Sequence, residues 1–351
     1  MGMVERIELA PGYAASRIIK GNWQLAERHG PPVERQAALD GMRRFVEAGF
    51  DTFDCADHYV GVEELIGDFR TAHPDLAQRL KVHTKVVPDR DVLPRIKRAD
   101  IEFLIDRARQ RLRMDCLDLV QFHWWDYAVA GYVESMGWLA DMQKEGKIRL
   151  VGTTNFDVPR LREITAAGIR IASNQLQYSV IDRRPEGGMT AFARESGMAL
   201  LCYGTVAGGF LSTRWLGVAD PAPPLANRSL VKYRLILDEF GSWDLFQALL
   251  RTLDGIARAH GTSITAVATR WVLDRPAASA AIVGARTDAH LADLLAADAL
   301  RLADADRAAI DSVIARSSGP AGECYALERE PGGRHAGIMW TNQNLRGVGA
   351  R

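Results

Sequence analysis

Short runs of β-branched and aliphatic residues recur along the chain, each followed by a longer stretch in which apolar residues return every three or four positions. That alternation predicts βα units wound about a parallel sheet. Eight strands are expected, at 18–23, 52–55, 82–86, 117–122, 148–153, 171–175, 199–203 and 280–283. Eight such units predict closure into an α/β fold of the (β/α)8 TIM-barrel type, with parallel strands. The helices between them are plain. Over Arg35 to Ala48, the residues Ala38, Met42, Phe45 and Val46 share a face, and Gly49 follows as a stop. Over Ile101 to Leu112, the residues Ile101, Leu104, Ile105, Ala108 and Leu112 form one stripe, as a helix on the outside of a barrel needs.

Two regions break the rhythm. Residues 212–242, with the sequence PAPP at 221–224, fall between the seventh and eighth strands and read as an inserted loop able to cover a site. Beyond Arg316 the chain becomes rich in glycine and polar residues. The expected organisation is therefore a barrel domain over 1–316 and an irregular C-terminal tail over 317–351, either a lid or a mobile end.

Composition narrows the partner. The 351 residues are 47% hydrophobic and 25% charged, enough for one large barrel, and 44 basic residues balance 44 acidic ones. No basic excess points to nucleic acid or an anionic membrane, so a small molecule is the expected partner. Apolar runs such as 198–202 and 277–283 are far shorter than the roughly 20 residues that span a bilayer. The start MGMVERIELAPGYAAS lacks the apolar segment of a secretory signal, and Cys55, Cys116, Cys202 and Cys324 are scattered. Reduced thiols in a cytoplasm are expected. Oligomeric state leaves no mark in the pattern.

In a parallel barrel the βα loops converge at the C-terminal ends of the strands, so reactive groups belong there. The segment TFDCADHYVGVEELIG puts Asp54 at the second strand end with Tyr59 in the loop behind it; VHTK ends the third in Lys85, and QFHW places His123 after the fourth. Singly, these read equally well as a helix cap, a surface charge and a satisfied core histidine. Together they make a carboxylate, a phenol, an ammonium and an imidazole on successive strands.

These segments resemble the motifs of the aldo-keto reductase superfamily over roughly residues 17–297. DCA stands for the family's DTA, YVGVEELIG for YGxxExxIG, and QFHW for QxHW. The resemblance implies a catalytic tetrad of Asp54, Tyr59, Lys85 and His123, reducing an aldehyde or ketone with a nicotinamide cofactor. Hydride arriving at carbon leaves charge on oxygen, so the site must give a proton and hold a developing alkoxide. Tyr59 would be the acid. Lys85, paired with Asp54, would be the cation that eases its ionisation, and His123 would hydrogen-bond and orient the carbonyl oxygen.

The same resemblance assigns the cofactor. GKIRLVGTTNF at 146–156 stands for GKIRxxGxSNF, so Thr154 and Asn155, with Gln175 of SNQLQYS, would hold the carboxamide, and Tyr203 would stack on the nicotinamide ring. Thr154 and Asn155 also suit a helix N-cap. AGGFLS at 207–212 offers Gly208, Gly209 and Leu211 to the pyrophosphate, since glycine lets backbone approach closely. No strand leads into GxGxxG, so a Rossmann domain is not indicated. AAIVGARTDAHLADLL resembles IPGARxxxQLxxN and supplies Gly284, Arg286 and His290 to the adenosine end. A guanidinium matches a 2′-phosphate, which makes NADPH the expected cofactor and NADH the second. His290, Leu294 and Val60 depart from the family pattern. Trp23, Trp124 and Trp125, just past strand ends, are expected to wall the substrate pocket or fill the barrel mouth.

Three other readings fit parts of the pattern. The chain could be a cofactor-binding redox-sensing subunit, although a complete tetrad argues against catalytic silence. It could run in reverse as an NAD-dependent sugar dehydrogenase. A metallohydrolase using His83 and His123 lacks HxH or HExxH spacing.

Overall fold

In this computed structural model, residues 4–27 and 29–342 are described. The strands are β1 (Arg6–Ala10), β2 (Tyr13–Ser16), β3 (Ile18–Gly21), β4 (Thr52–Asp54), β5 (Lys81–Val86), β6 (Leu117–Phe122), β7 (Ile148–Thr154), β8 (Ser173–Gln177), β9 (Ala199–Tyr203) and β10 (Ala278–Gly284). Strands β3 to β10 are all parallel and close in the order β10-β3-β4-β5-β6-β7-β8-β9. This is the expected (β/α)8 barrel, with expected boundaries off by two residues at most.

Strand periodicity separates two cores. Ile19, Leu119, Leu201, Ala280 and Ile282 meet in a small central cluster inside the barrel, while Ile18, Phe53, Val120, Phe122 and Leu200 face the helices in the large outer one. The outer layer comprises α1 (Arg35–Glu47), α2 (Val62–Ala72), α3 (Pro74–Ala77), α4 (Arg98–Leu112), α5 (Tyr132–Lys144), α6 (Val158–Ala166) and α7 (Met189–Ser196). It continues with α8 (Arg228–Phe240), α9 (Trp243–Ala259), α10 (Ile264–Leu273), α11 (Leu291–Ala299) and α12 (Asp304–Ile314).

Three features differ from the sequence expectation. Strands β1 and β2 form an antiparallel hairpin that carries Leu9, Tyr13 and Ala15 into the central cluster and plugs the N-terminal end of the barrel. The Pro11-Gly12 turn between them is its sequence signal. Within 212–242, residues 228–240 are not loop but α8: Asn227 caps it by accepting from the Leu230 N–H at 3.0 Å, and Leu230, Tyr233, Ile236, Leu237 and Phe240 make a buried stripe. The prolines at 221–224 obscured a helical period that begins only after them. The tail, as far as Asn342, is neither free nor shapeless. It forms two short turns, α13 (Ala326–Arg329) and α14 (Arg334–Gly337), and crosses the mouth of the barrel to the β5–α4 loop, where Arg90 donates its backbone N–H to Thr341 O at 2.8 Å. Residues 343–351 of the expected tail lie outside the described residues.

Candidate active site

Every strand ends at the same mouth, and the polar residues singled out above meet there. Lys85 sits one position before the end of β5, only 4% exposed, and its Nζ donates to Asp54 Oδ1 and Oδ2 at 2.9 and 2.7 Å and to Cys55 O at 2.8 Å. Asp54 Oδ1 also accepts from Gln175 Nε2 at 2.6 Å and Gln121 Nε2 at 3.3 Å. A buried ion pair needs such extra partners to offset desolvation. Burial alone would make the lysine give up its proton, but the adjacent Asp54 carboxylate outweighs this and holds its pKa above the usual value. Lys85 is a permanent cation.

Its Nζ lies 5.1 Å from the centre of the Tyr59 ring, which in turn packs on Trp23 at 4.8 Å and His58 at 4.7 Å between centroids. The sequence expectation is a cation that makes Tyr59 more acidic. Burial prevails instead: desolvation lifts the phenol to about 12 although Lys85 pulls it down. Tyr59 therefore holds its proton at neutral pH.

His123, 2% exposed, presents Nδ1 to Thr154 O at 3.1 Å. A carbonyl only accepts, so the proton is on Nδ1. Burial, reinforced by the Arg329 charge, drives the ring's pKa well below the usual value, so it is neutral. Its Nε2 is then a lone pair, buried and without a partner. The expected role, donation to the carbonyl oxygen, does not follow from this tautomer.

Thr154, Asn155, Gln175 and Tyr203, which the resemblance assigns to the carboxamide and nicotinamide, are joined by hydrogen bonds. Thr154 Oγ1 and the Asn155 N–H both donate to Gln175 O, at 3.2 and 2.7 Å, and the Tyr203 hydroxyl donates to Asn155 Oδ1 at 2.8 Å. Asn155 adopts φ +63°, a conformation asparagine tolerates better than most residues. The capping alternative fails, because Asp157 caps α6 by accepting from the Arg160 N–H at 3.1 Å.

At the adenosine end, Arg286 has no carboxylate within ion-pair distance among the described residues and reaches Pro31 O, while its Nε has no partner. His29 is pushed down to about 4 by burial and then by the Arg286 and Arg228 charges. Three basic groups thus converge on one place. Gly209, at φ +103°, has open space where a side chain would stand. Gly208, at φ +64°, does not: a Cβ there would come within 2.7 Å of the Tyr233 ring, so its bareness admits α8. Gly284 lies beneath the Gln24 side chain, and His290 is exposed, 3.8 Å from Asp293.

Leu211 is fully buried in the outer core, and its backbone N–H, the group offered to pyrophosphate, donates to Val206 O at 3.2 Å. One assignment is corrected. Trp124 is likewise fully buried, its indole N–H donating to Val129 O at 2.9 Å, and walls nothing. Trp23 and Trp125 do lie at the mouth: Trp23 against Tyr59, and Trp125 edge-on to His123 with centroids 4.4 Å apart at 88°.

Sequence reasoning missed what closes the mouth. Tyr325, at φ +65°, stands edge-on to His123 at 5.5 Å, and Arg329 donates to Asn155 O and Trp124 O, both at 2.8 Å. Glu328 is held by Arg184 at 3.0 Å, which also grips Asp182 at 2.7 Å, with every one of these side chains at most 1% exposed. From α8, Lys232 Nζ lies 4.9 Å over the Tyr203 ring and 5.6 Å from that of Tyr325. Nothing in an irregular tail marks which residues will be buried, so no periodic signal could have found them.

An aromatic face at Tyr203, amide and hydroxyl groups beside it, an open glycine and the Arg286 and Arg228 guanidiniums beside a neutral His29 fit a nicotinamide dinucleotide. Comparison agrees: a sequence model of the Aldo/keto reductase family matches residues 17–315. The chain belongs to the aldo/keto reductase family and is an NAD(P)H-dependent oxidoreductase acting on carbonyl compounds. It is 25% identical over 312 residues to the aldo-keto reductase YhdN of Bacillus subtilis, covering 86% of this chain and 91% of that one. It is 28% identical over 301 residues to 6-dehydroglucose reductase of Novosphingobium aromaticivorans, covering 83% and 88%. Its fold matches that of the glycerol dehydrogenase AKR11B4 of Gluconobacter oxydans with a TM-score of 0.75 at 23% identity, over 90% of this chain and 97% of that one.

Proposed function

We propose that the protein reduces an aldehyde or ketone with NADPH, and that Tyr59 is the general acid. The observation that carries this reading is the buried Asp54–Lys85 pair placed 5.1 Å from a phenol that holds its proton up to about pH 12. When bound, the cofactor supplies hydride to the carbonyl carbon and is itself oxidised. The oxygen takes the Tyr59 proton, and Lys85 stabilises the phenolate left behind, which water then reprotonates. Asp54 keeps Lys85 charged and in place. Thr154, Asn155 and Gln175 would orient the carboxamide, the Tyr203 ring would back the nicotinamide, and Gly209 would admit phosphate.

The protonated Tyr59 is set for carbonyl reduction, and the reverse reaction would use its phenolate as base, since His123 is a poor proton acceptor, its imidazolium being disfavoured by burial. Preference for NADPH rests on the Arg286 and Arg228 guanidiniums, both beside the neutral His29, where a 2′-phosphate would be read. Residues 317–342 act as a cover that excludes water from the mouth, held by the Arg184–Glu328 pair. No helix among the described residues is long and apolar enough to cross a membrane, and all four cysteines are free, which supports a cytoplasmic site. No group of three or more His, Cys, Asp or Glu among the described residues is arranged to hold a metal ion.

The test is titration of tryptophan fluorescence with NADPH and with NADH, followed by turnover on small aldehydes such as 4-nitrobenzaldehyde, in wild type and Tyr59→Phe. Tight NADPH binding in both proteins with turnover only in wild type supports the assignment. Equal turnover in Tyr59→Phe removes Tyr59 from the chemistry.

A further inference from the structure

Lys20 and Lys85 are both buried amines, and they differ in what compensates their charge. Lys85 is paired with Asp54 at 2.7 Å. Lys20, 0% exposed on the outer face of β3, has no carboxylate within ion-pair distance among the described residues. Its Nζ lies 5.6 Å from the ring centre of Phe45 on α1 and 5.4 Å from that of Phe53 on β4, and burial alone pulls its pKa down to about 7. A strand position walled by two phenylalanines packs well with an apolar side chain, and burying an unpaired charge there is costly. The need for a core does not account for this lysine.

Its two hydrogen bonds do. Nζ donates to Asn22 Oδ1 at 2.5 Å and to Ala285 O at 2.9 Å. The Asn22 Nδ2 and backbone N–H donate in turn to Asp54 O at 2.9 and 3.1 Å, so the chain of bonds starts at the strand end that carries the catalytic carboxylate. It finishes at Ala285, the residue before Arg286. The same loop is held at its flanks. The Ala285 N–H donates to Gly21 O at 3.1 Å, a Cβ on Gly41 of α1 would meet the Thr287 Cα at 2.9 Å, and Arg44 pairs with Asp288. Arg286 stands between these anchors with Pro31 O as its hydrogen-bond partner and its Nε unmatched.

We infer that Lys20 is a positioning residue for the cofactor: holding Ala285 O from inside the fold, it fixes how Arg286 leaves the end of β10 and so sets the affinity for the cofactor's 2′-phosphate. It is wholly buried and acts through Arg286. The link through Asn22 also keeps the adenosine end of the site in register with the strand end of Asp54. This rests on the reading of Arg286 given above.

The experiment is a double-mutant cycle of Lys20→Met and Arg286→Ala, with KM for NADPH and NADH, kcat on 4-nitrobenzaldehyde and Tm measured for all four proteins. Methionine matches the length of the lysine and fits between the same rings; it loses two hydrogen bonds and also the desolvation of a charge, so Tm should stay within a few degrees of wild type. Lys20→Met should raise KM for NADPH about tenfold, the worth of one to two hydrogen bonds, with NADH little changed and kcat not reduced. In the Arg286→Ala background the same substitution should add little, because the residue it acts through is gone. A KM for NADPH untouched by Lys20→Met, or a rise that persists in full without Arg286, overturns the inference and leaves the reading of Arg286 intact. A variant that fails to fold, or melts far below wild type, also overturns it, since Lys20 then serves the fold. Arg286→Ala weakening both nucleotides alike overturns the 2′-phosphate reading and this inference with it.

Discussion

His123 Nδ1 lies 3.1 Å from the carbonyl oxygen of Thr154, at the end of the neighbouring strand, and this contact decides what the other ring nitrogen can do. The proton is committed to Thr154, burial keeps the ring neutral, and Nε2 is left as a buried acceptor with no partner among the described residues. The same β7 end carries Asn155, which bonds Tyr203. One strand end therefore fixes both the imidazole and, through Asn155, the Tyr203 hydroxyl.

A neutral histidine and a tyrosine that ionises only near 12 predict a featureless pH profile for reduction. kcat/KM is expected to stay level from about pH 6 to pH 10, because neither group changes state in that range. A limb near the ordinary histidine pKa, roughly 6.5, would show that His123 titrates and so is not held neutral. Tyr59→Phe should lower turnover about 10²- to 10⁴-fold at every pH, the usual worth of a placed general acid.

Arg286→Ala tests the adenosine end. Losing a charge-assisted contact to phosphate costs about 1.5–3 kcal/mol, so NADPH affinity should fall about 10- to 100-fold while NADH changes little. Parallel titrations of the variant with the two nucleotides measure this. An equal loss for both would mean that Arg286 shapes the loop around Pro31 rather than reading the 2′-phosphate.

The barrel was legible because its elements obey strict periods, and the tetrad because its segments resemble the family's motifs. Strand spacing put Asp54, Lys85 and His123 at successive C-terminal ends, and only one geometry brings those ends together. What escaped were groups whose burial depends on contacts distant in sequence. Trp124 and Trp125 are adjacent and identical, yet one enters the core and the other the mouth, which follows from the turn after β6 and not from composition. Lys20 reads as an ordinary strand residue but is fully buried between β3 and α1, tying Asn22 Oδ1 at 2.5 Å to Ala285 O at 2.9 Å. Tyr325 and Glu328 find their partners His123 and Arg184 more than a hundred residues away in sequence.

Glu328→Gln tests the cover. Removing one charge from the buried Asp182–Arg184–Glu328 set leaves Arg184 less compensated, and breaking such a pair typically costs about 3–5 kcal/mol. Asp182 remains, so the loss should fall mainly on the docking of residues 320–342. Limited trypsin digestion should cut after Arg316 or Arg329 faster in the variant, and KM for substrate should rise more than kcat falls. Unchanged cleavage would show that Arg329 and Tyr325 hold the segment without the latch.

Glu63 predicts a pH dependence of stability unconnected with catalysis. It lies in the first turn of α2, 1% exposed, accepting from Thr84 Oγ1 at 2.7 Å, with Arg111 3.4 Å away. Burial, then the nearby Asp57 charge, raises its pKa from 4.5 to about 7. The folded protein therefore binds this proton more tightly than the unfolded chain does. The stability it contributes is full below about pH 4.5 and is lost as the pH rises through 7. Glu63→Gln keeps the Thr84 bond and carries no charge to desolvate, so relative to wild type the variant should gain on going from pH 5 to pH 8. A tenfold difference in proton affinity between folded and unfolded chain is worth about 1.4 kcal/mol, and a gain of about 1–3 kcal/mol should move Tm by a few degrees in favour of the variant. Thermal melts at the two pH values, with the variant tracking wild type at both, would show that Arg111 already neutralises the carboxylate and that Glu63 is ionised throughout.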